Sequence, residues 1–189
     1  WLCNVLRGDF GESLRSRIPV SELLASKLPV TIELAVCSML VALLLGLPAG
    51  VISATRKGTP LDFTANLVAL SGLSVPHFWL GIMLILLFAV RLGWLPASGY
   101  APPWEDPLRN LTTLLLPSIV LGTGVAGVMM RHTRSAMMQT LDADYVRTAR
   151  AKSVPERLVV LKHALRNALI PIITLGAIEF GRLLSGAVL

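Results

Sequence analysis

Apolar positions gather into four long runs separated by short polar or basic stretches. They extend from about Pro29 to Ala54, Asn66 to Leu92, Thr113 to Met130 and Leu169 to Leu189. A helix crossing a hydrocarbon core needs roughly 17–25 mostly apolar residues, and each run meets that length. Each also contains Gly or Pro, as in Gly46-Leu-Pro-Ala-Gly50, which membrane bundles accommodate better than soluble helices do. The pattern predicts an all-α, polytopic helical membrane protein with four spans over residues 29–189. Ahead of them, Val20, Leu23, Leu24 and Leu28 share one helical face, with Ser21 as a cap. A short amphipathic helix is therefore expected in an arm of residues 1–28, lying on the membrane surface or on its own protein.

Composition strengthens this reading. Of the 189 residues 54% are hydrophobic and only 15% charged, against roughly 25% charged in an ordinary soluble domain. Mean hydropathy is +0.70. The net charge of +6 would raise the question of nucleic acid in a soluble protein, but here the basic residues cluster between apolar runs, where topology explains them. Arg131, Arg134, Arg147, Arg150, Lys152, Arg157, Lys162 and Arg166 stand against Asp142, Asp144 and Glu156 between the third and fourth runs. Positive charge stays on the cytoplasmic side, so residues 131–168 are expected inside, together with Arg56-Lys57. Residues 93–112, with Trp94, Tyr100 and Trp104, and the arm 1–28 are then expected outside. The opening residue is not Met and the last run is apolar to its end, which reads as a fragment cut at both ends. Cys3 and Cys37 offer neither disulfide framework nor metal spacing.

The polar stretch after the third run is the most informative. Residue types from Asp142 to Lys152 favour a helix, and Pro155 cannot lie deep inside a continuous one. Two helices with a tight joint are expected, with Ser153-Val-Pro-Glu156 as a capping box. On a helical wheel Tyr145, Thr148, Ala149 and Lys152 share one side, and Arg147 and Arg150 project from the other. Leu158, Leu161, Leu165, Ala168 and Ile172 form an apolar stripe on the second helix. A small Ala149 flanked by arginines suits a helix that docks into another protein's groove.

Asp144-Tyr-Val-Arg-Thr-Ala-Arg-Ala-Lys152 and His163-Ala-Leu-Arg-Asn-Ala-Leu-Ile-Pro171 resemble the cytoplasmic loop of the B-type permease subunits of dipeptide, oligopeptide, glutathione and nickel ABC importers. The wider superfamily has Glu-Ala-Ala, three residues, Gly and later Leu-Pro; here Arg147-Thr-Ala149, Ser153 and Ile170-Pro171 hold those places. The likeness extends to Gly8-Asp-Phe-Gly-Glu-Ser13, Leu28-Pro-Val-Thr-Ile-Glu-Leu34, Leu73-Ser-Val-Pro-His-Phe-Trp-Leu-Gly81, Leu92-Gly-Trp-Leu-Pro-Ala-Ser-Gly-Tyr100 and Ser185-Gly-Ala-Val188. It implies a type I importer permease fold and a non-catalytic transport subunit in a bacterial inner membrane. The implied partners are a homologous second permease, two cytoplasmic ATPase subunits that bind ATP and Mg, and an extracytoplasmic solute-binding protein. Membrane lipid surrounds the assembly, and the chain itself binds no cofactor or metal. Asp144, Tyr145, Arg147, Thr148, Ala149, Arg150, Lys152, Ser153 and Glu156 would form the coupling element. The cargo would be a di- or oligopeptide, with glutathione or nickel as alternatives within the family. A secondary transporter that needs no ATPase is the alternative from another class. Ser153 departs from the family's Gly, and a capping bond to Glu156 is expected to offset the cost of a left-handed backbone there.

Two further groups bear on a translocation path. Pro76, with His77, Phe78 and Trp79, predicts a kink that either shapes the path or serves helix packing. Lone histidines such as His77, His132 and His163 are read as hydrogen-bonded rather than as metal ligands. Glu179 and Arg182 are ionisable residues in an apolar run and, spaced i, i+3, can pair; they either line a polar path or form a structural pair. Met129, Met130, Met137 and Met138 are read as adaptable packing.

Overall fold

The computed structural model describes residues 10–13 and 17–186, which are helical with short connections and no β-strand. The readings on Cys3, on Gly8-Asp9 and on Ala187-Val188 lie outside the described residues. The helices are α1 (Val20–Thr55), α2 (Pro60–Ser74), α3 (His77–Arg91), α4 (Pro107–Leu141), α5 (Asp144–Ala151) and α6 (Glu156–Gly186). Helices α1, α4 and α6 are each long and apolar enough to cross a membrane, and α2 with α3 forms a fourth, broken candidate.

Three expectations about boundaries change. The surface helix expected within residues 1–28 is the first part of α1, which runs unbroken through Pro29. Pro19, not Ser21, precedes its first turn, and no side chain caps it. Helix α4 continues past the apolar run to Leu141, so residues 131–141 belong to it and not to a loop. Hydropathy marks where a helix would leave the membrane; backbone hydrogen bonding, indifferent to side-chain polarity, decides where it ends.

The expected kink near Pro76 is a full break: α2 and α3 diverge by 96°. A residue before proline is pushed out of the helical region, and Val75 is extended at φ −77, ψ 123. Ser74 Oγ donates to the Leu70 carbonyl as α2 ends, and Leu80 N–H bonds to Pro76 O as α3 begins. The broken pair still follows α4. A Cβ on Gly127 would lie 2.7 Å from Ala69 O, His77 sits on Gly124, and a Cβ on Gly81 would lie 3.9 Å from Val120 Cγ2. The sequence positions rise on one side as they fall on the other, so α2 and then α3 meet α4 in order from its C-terminal half toward its N-terminal half.

Helix α1 lies parallel to α4 along a stripe of small residues. Thr31, Ala35, Ser38, Ala42, Gly46, Gly50 and Ser53 are buried on it. A Cβ on Gly46 would come within 2.8 Å of Ala126 O, and one on Gly50 within 2.5 Å of Thr133 Cβ. From the other side, a Cβ on Gly122 would lie 2.7 Å from Ser38 O. This is the small-residue contact by which apolar helices approach closely in lipid, where no hydrophobic force drives them together. At one end of the bundle Met129 and Met137 pack with Ala54, Ala164, Ala168 and Ile172, joining α1, α4 and α6.

At the opposite end the connection from α3 to α4 folds over the bundle. Asn110 Nδ2 donates to Ala101 O at 2.8 Å, Tyr100 donates to Glu33 at 2.9 Å, and Asp106 caps α4 through Arg109 N–H. Partial burial and the Glu33 carboxylate push the Tyr100 phenol above its usual range. Trp94 and Trp104 remain exposed, as interfacial aromatics do.

Candidate functional site

The segment after α4 forms a compact hairpin. Helix α5 is amphipathic: Val146 and Ala149 are buried and pack with Val159, with Val154 and Leu141 beside them. Asp144, Tyr145, Arg147, Thr148, Arg150 and Lys152 are exposed. Ala149 therefore faces its own chain, where its small size admits Val159, and the outer surface is charged.

The helix ends in a Schellman motif. Ser153 adopts φ 56; its N–H bonds to Arg150 O at 2.9 Å, and Val154 N–H bonds to Ala149 O at 3.2 Å. The left-handed position expected at Ser153 is present, but the capping box is not. Pro155 precedes α6 without a side-chain cap, and Glu156 instead takes a forked pair from Arg150, at 2.7 and 3.2 Å. That pair holds the Arg150 guanidinium further toward its charged form. The Ser153 N–H is already committed to the Arg150 carbonyl, which leaves the Glu156 carboxylate to the guanidinium. Asp144 lies 3.7 Å from Arg147, and Asn167 Nδ2 donates to the Tyr145 hydroxyl at 3.1 Å, tying α5 to α6.

The apolar stripe of α6 holds at Ala168 and Ile172 and departs from the wheel before them. Leu158 and Leu161 are each 49% exposed, whereas Val159, Ala164, Ala168 and Ile172 are buried. Val159–Leu165 forms a π-helical turn, whose wider spacing rotates the inward face by about one residue.

A second polar centre, not singled out in the sequence, lies where α1, α2 and α4 meet. Asp62, in the first turn of α2, is buried and accepts from five donors. Arg134 forks onto both oxygens, Nε at 2.9 Å and Nη2 at 3.0 Å. Asn66 Nδ2 donates at 2.7 Å, Gly58 N–H at 3.0 Å, and Ser53 Oγ also donates. Gly58 has φ 76, the left-handed region that suits glycine in the α1–α2 turn. The available signal was an Asp three residues after Thr59, with Pro60 between them, and an Arg beyond the end of an apolar run. Neither discloses that the two meet.

The residues considered for a translocation path are not brought together. His77 packs its ring on Gly124, while Phe78 is 73% exposed. Trp79 lines an apolar groove of about 660 Å³ with Ala49, Val68, Gly72 and Ala126. Glu179 and Arg182 pair as their spacing predicts, at 2.8 Å. The carboxylate is buried and the guanidinium is 71% exposed.

Long apolar helices, a bent helix pair and a charged hairpin between the last two long helices define a polytopic helical membrane protein. The chain belongs to the binding-protein-dependent transport system inner membrane component family, which it matches over residues 46–189. It is 44% identical over 188 residues to the glutathione transport system permease protein GsiC of Escherichia coli (strain K12), covering 100% of this chain and 59% of that protein. The corresponding GsiC of Pectobacterium atrosepticum is 47% identical over 189 residues, with the same coverage. A putative peptide transport system permease protein of Brucella suis biovar 1 is 41% identical over 188 residues, covering 100% of this chain and 60% of that protein. The chain thus spans about three fifths of the length of these relatives.

Proposed function

We propose that this chain is the membrane-spanning part of an ATP-driven importer that carries peptides across a bacterial inner membrane. Helix α5 is its coupling element, docking in a cleft of a cytoplasmic ATPase subunit. The observation that carries this reading is the construction of the hairpin. Val146 and Ala149 fasten α5 to α6 through Val159, the Schellman turn fixes its end, and the remaining face offers Asp144, Arg147 and Lys152 to a partner. A short helix anchored on one side and charged on the other transmits a push without dissolving into its own core.

In this reading the hairpin and Arg56-Lys57 face the cytoplasm, and the connection carrying Trp94 and Trp104 faces a solute-binding protein outside. Two ATPase subunits supply ATP and Mg, and a homologous permease completes the path. Family membership and the peptide nature of the cargo named for the relatives, glutathione included, support a peptide substrate.

The test is cross-linking in the assembled importer. Arg147→Cys is expected to cross-link to a copurified ATPase subunit, and proteoliposomes are expected to take up peptide only with ATP and the binding protein. Uptake driven by an ion gradient with no ATPase present would overturn the reading.

A further inference from the structure

We infer that Asp62 and Arg134 form a positioning clamp that makes the broken span α2–α3 follow α4, so that motion imposed at the hairpin reaches the middle of the bundle. This rests on the coupling role proposed for α5.

The placement of the clamp is the first argument. Arg134 lies seven residues before the end of α4 at Leu141, about 10 Å along a helix that rises 1.5 Å per residue. Only Asp142 and Ala143 separate that end from α5. A displacement of α5 therefore reaches Arg134 through nearly continuous helix.

The second argument is that α2 has little else to hold it. Its buried residues are Asp62 and Ala69 alone. Ala69 packs by its backbone against Gly127 and the Leu73 side chain touches the same notch; beyond this notch, the buried residue left to set the position of α2 along α4 is Asp62. The bidentate fork, with donors from Ser53, Asn66 and Gly58, fixes distance and direction together. Further along, His77 rests on Gly124, so α3 begins against the same helix that the clamp controls.

The side chains are exposed by 26% for Arg134 and 9% for Asp62. The pair is thus shielded enough to hold its geometry and is met by hydrogen bonds on each carboxylate oxygen. Its purpose would be positional: a packed apolar contact of equal volume would secure α2 as firmly but without a set register.

The experiment uses the complete importer, with its ATPase and binding protein, in proteoliposomes. In Asp62→Asn, peptide uptake per ATP hydrolysed is expected to fall about tenfold, the scale of losing a charge-assisted hydrogen-bond pair, while ATP hydrolysis continues. Arg134→Lys, which keeps the charge and loses the fork, is expected to give an intermediate ratio and serves if Asp62→Asn does not assemble. Cysteines at both positions, in a background otherwise free of reactive cysteines and joined by a short bismaleimide, are expected to restore the ratio. An unchanged ratio in Arg134→Lys or Asp62→Asn, or uptake and hydrolysis lost in equal proportion by assembled complexes, overturns the clamp. A wild-type importer that takes up peptide without ATP hydrolysis would instead overturn the coupling role beneath it.

Discussion

Helix α4 meets α1 and α2 by opposite means. Along α1 the contact is a seam of small residues, where Ser38 and Thr133 are wholly buried and, among the described residues, their hydroxyls find no hydrogen-bond partner. Along α2 the contact narrows to a glycine notch and one carboxylate that meets every donor around it. The seam is held by shape over many turns, so it resists displacement everywhere. The α2 contact is held at a point, so it can be set, lost or transmitted. One helix therefore carries both a scaffold and a joint.

The sharpest way to break this contrast is to crowd the seam. Gly50→Leu would drive a side chain into Thr133 and the Met130 carbonyl and should destabilise the bundle by about 3 kcal/mol. Thermal unfolding in detergent measures this, with Gly181→Leu as the comparison. Among the described residues, no atom outside its own stretch of helix lies within 4 Å of a Cβ at Gly181, so that change should stay within about 0.5 kcal/mol. Equal losses would mean that the seam is no scaffold.

Next comes the joint itself. Ser53→Ala removes one donor from Asp62 and should cost about 1 kcal/mol, read by the same melting experiment. A similar gain is expected at the hairpin. Ser153→Gly relieves a left-handed backbone at φ 56 and should stabilise the turn by about 1 kcal/mol. Slower hydrogen exchange at the Val154 N–H would show it; faster exchange would mean that the serine side chain supports the turn in another way. The smallest effect belongs to the exposed Arg150–Glu156 pair, whose side chains are 43% and 61% exposed. Glu156→Gln should change stability by no more than about 1 kcal/mol, and by less as salt is raised.

Much of this was legible in the sequence, and the omissions share a cause. Apolar runs gave the long helices, Pro155 gave the joint between α5 and α6, and the spacing of Glu179 and Arg182 gave their pairing. What depended on local chain chemistry could be read. Contacts set by the fold could not: nothing near Asp62 announces Arg134, and nothing near Glu156 announces that the Ser153 N–H closes the turn of α5 and leaves the carboxylate to Arg150. The wheel for α6 held at Ala168 and Ile172 but failed at Leu158 and Leu161, beside a π-turn that alters the period any wheel assumes. Pro76 shows the limit within one element. Pro29, Pro48, Pro117 and Pro171 all sit inside continuous helices, so proline alone does not decide between a bend and a break.

The coupling role requires the hairpin to face the cell interior. Single cysteines at Arg147 and at Trp104, in the assembled importer, can be treated with a membrane-impermeant maleimide in right-side-out and inside-out vesicles. The account predicts that Arg147→Cys is labelled only in inside-out vesicles and Trp104→Cys only in right-side-out ones; labelling of Arg147→Cys from the outer face would contradict it.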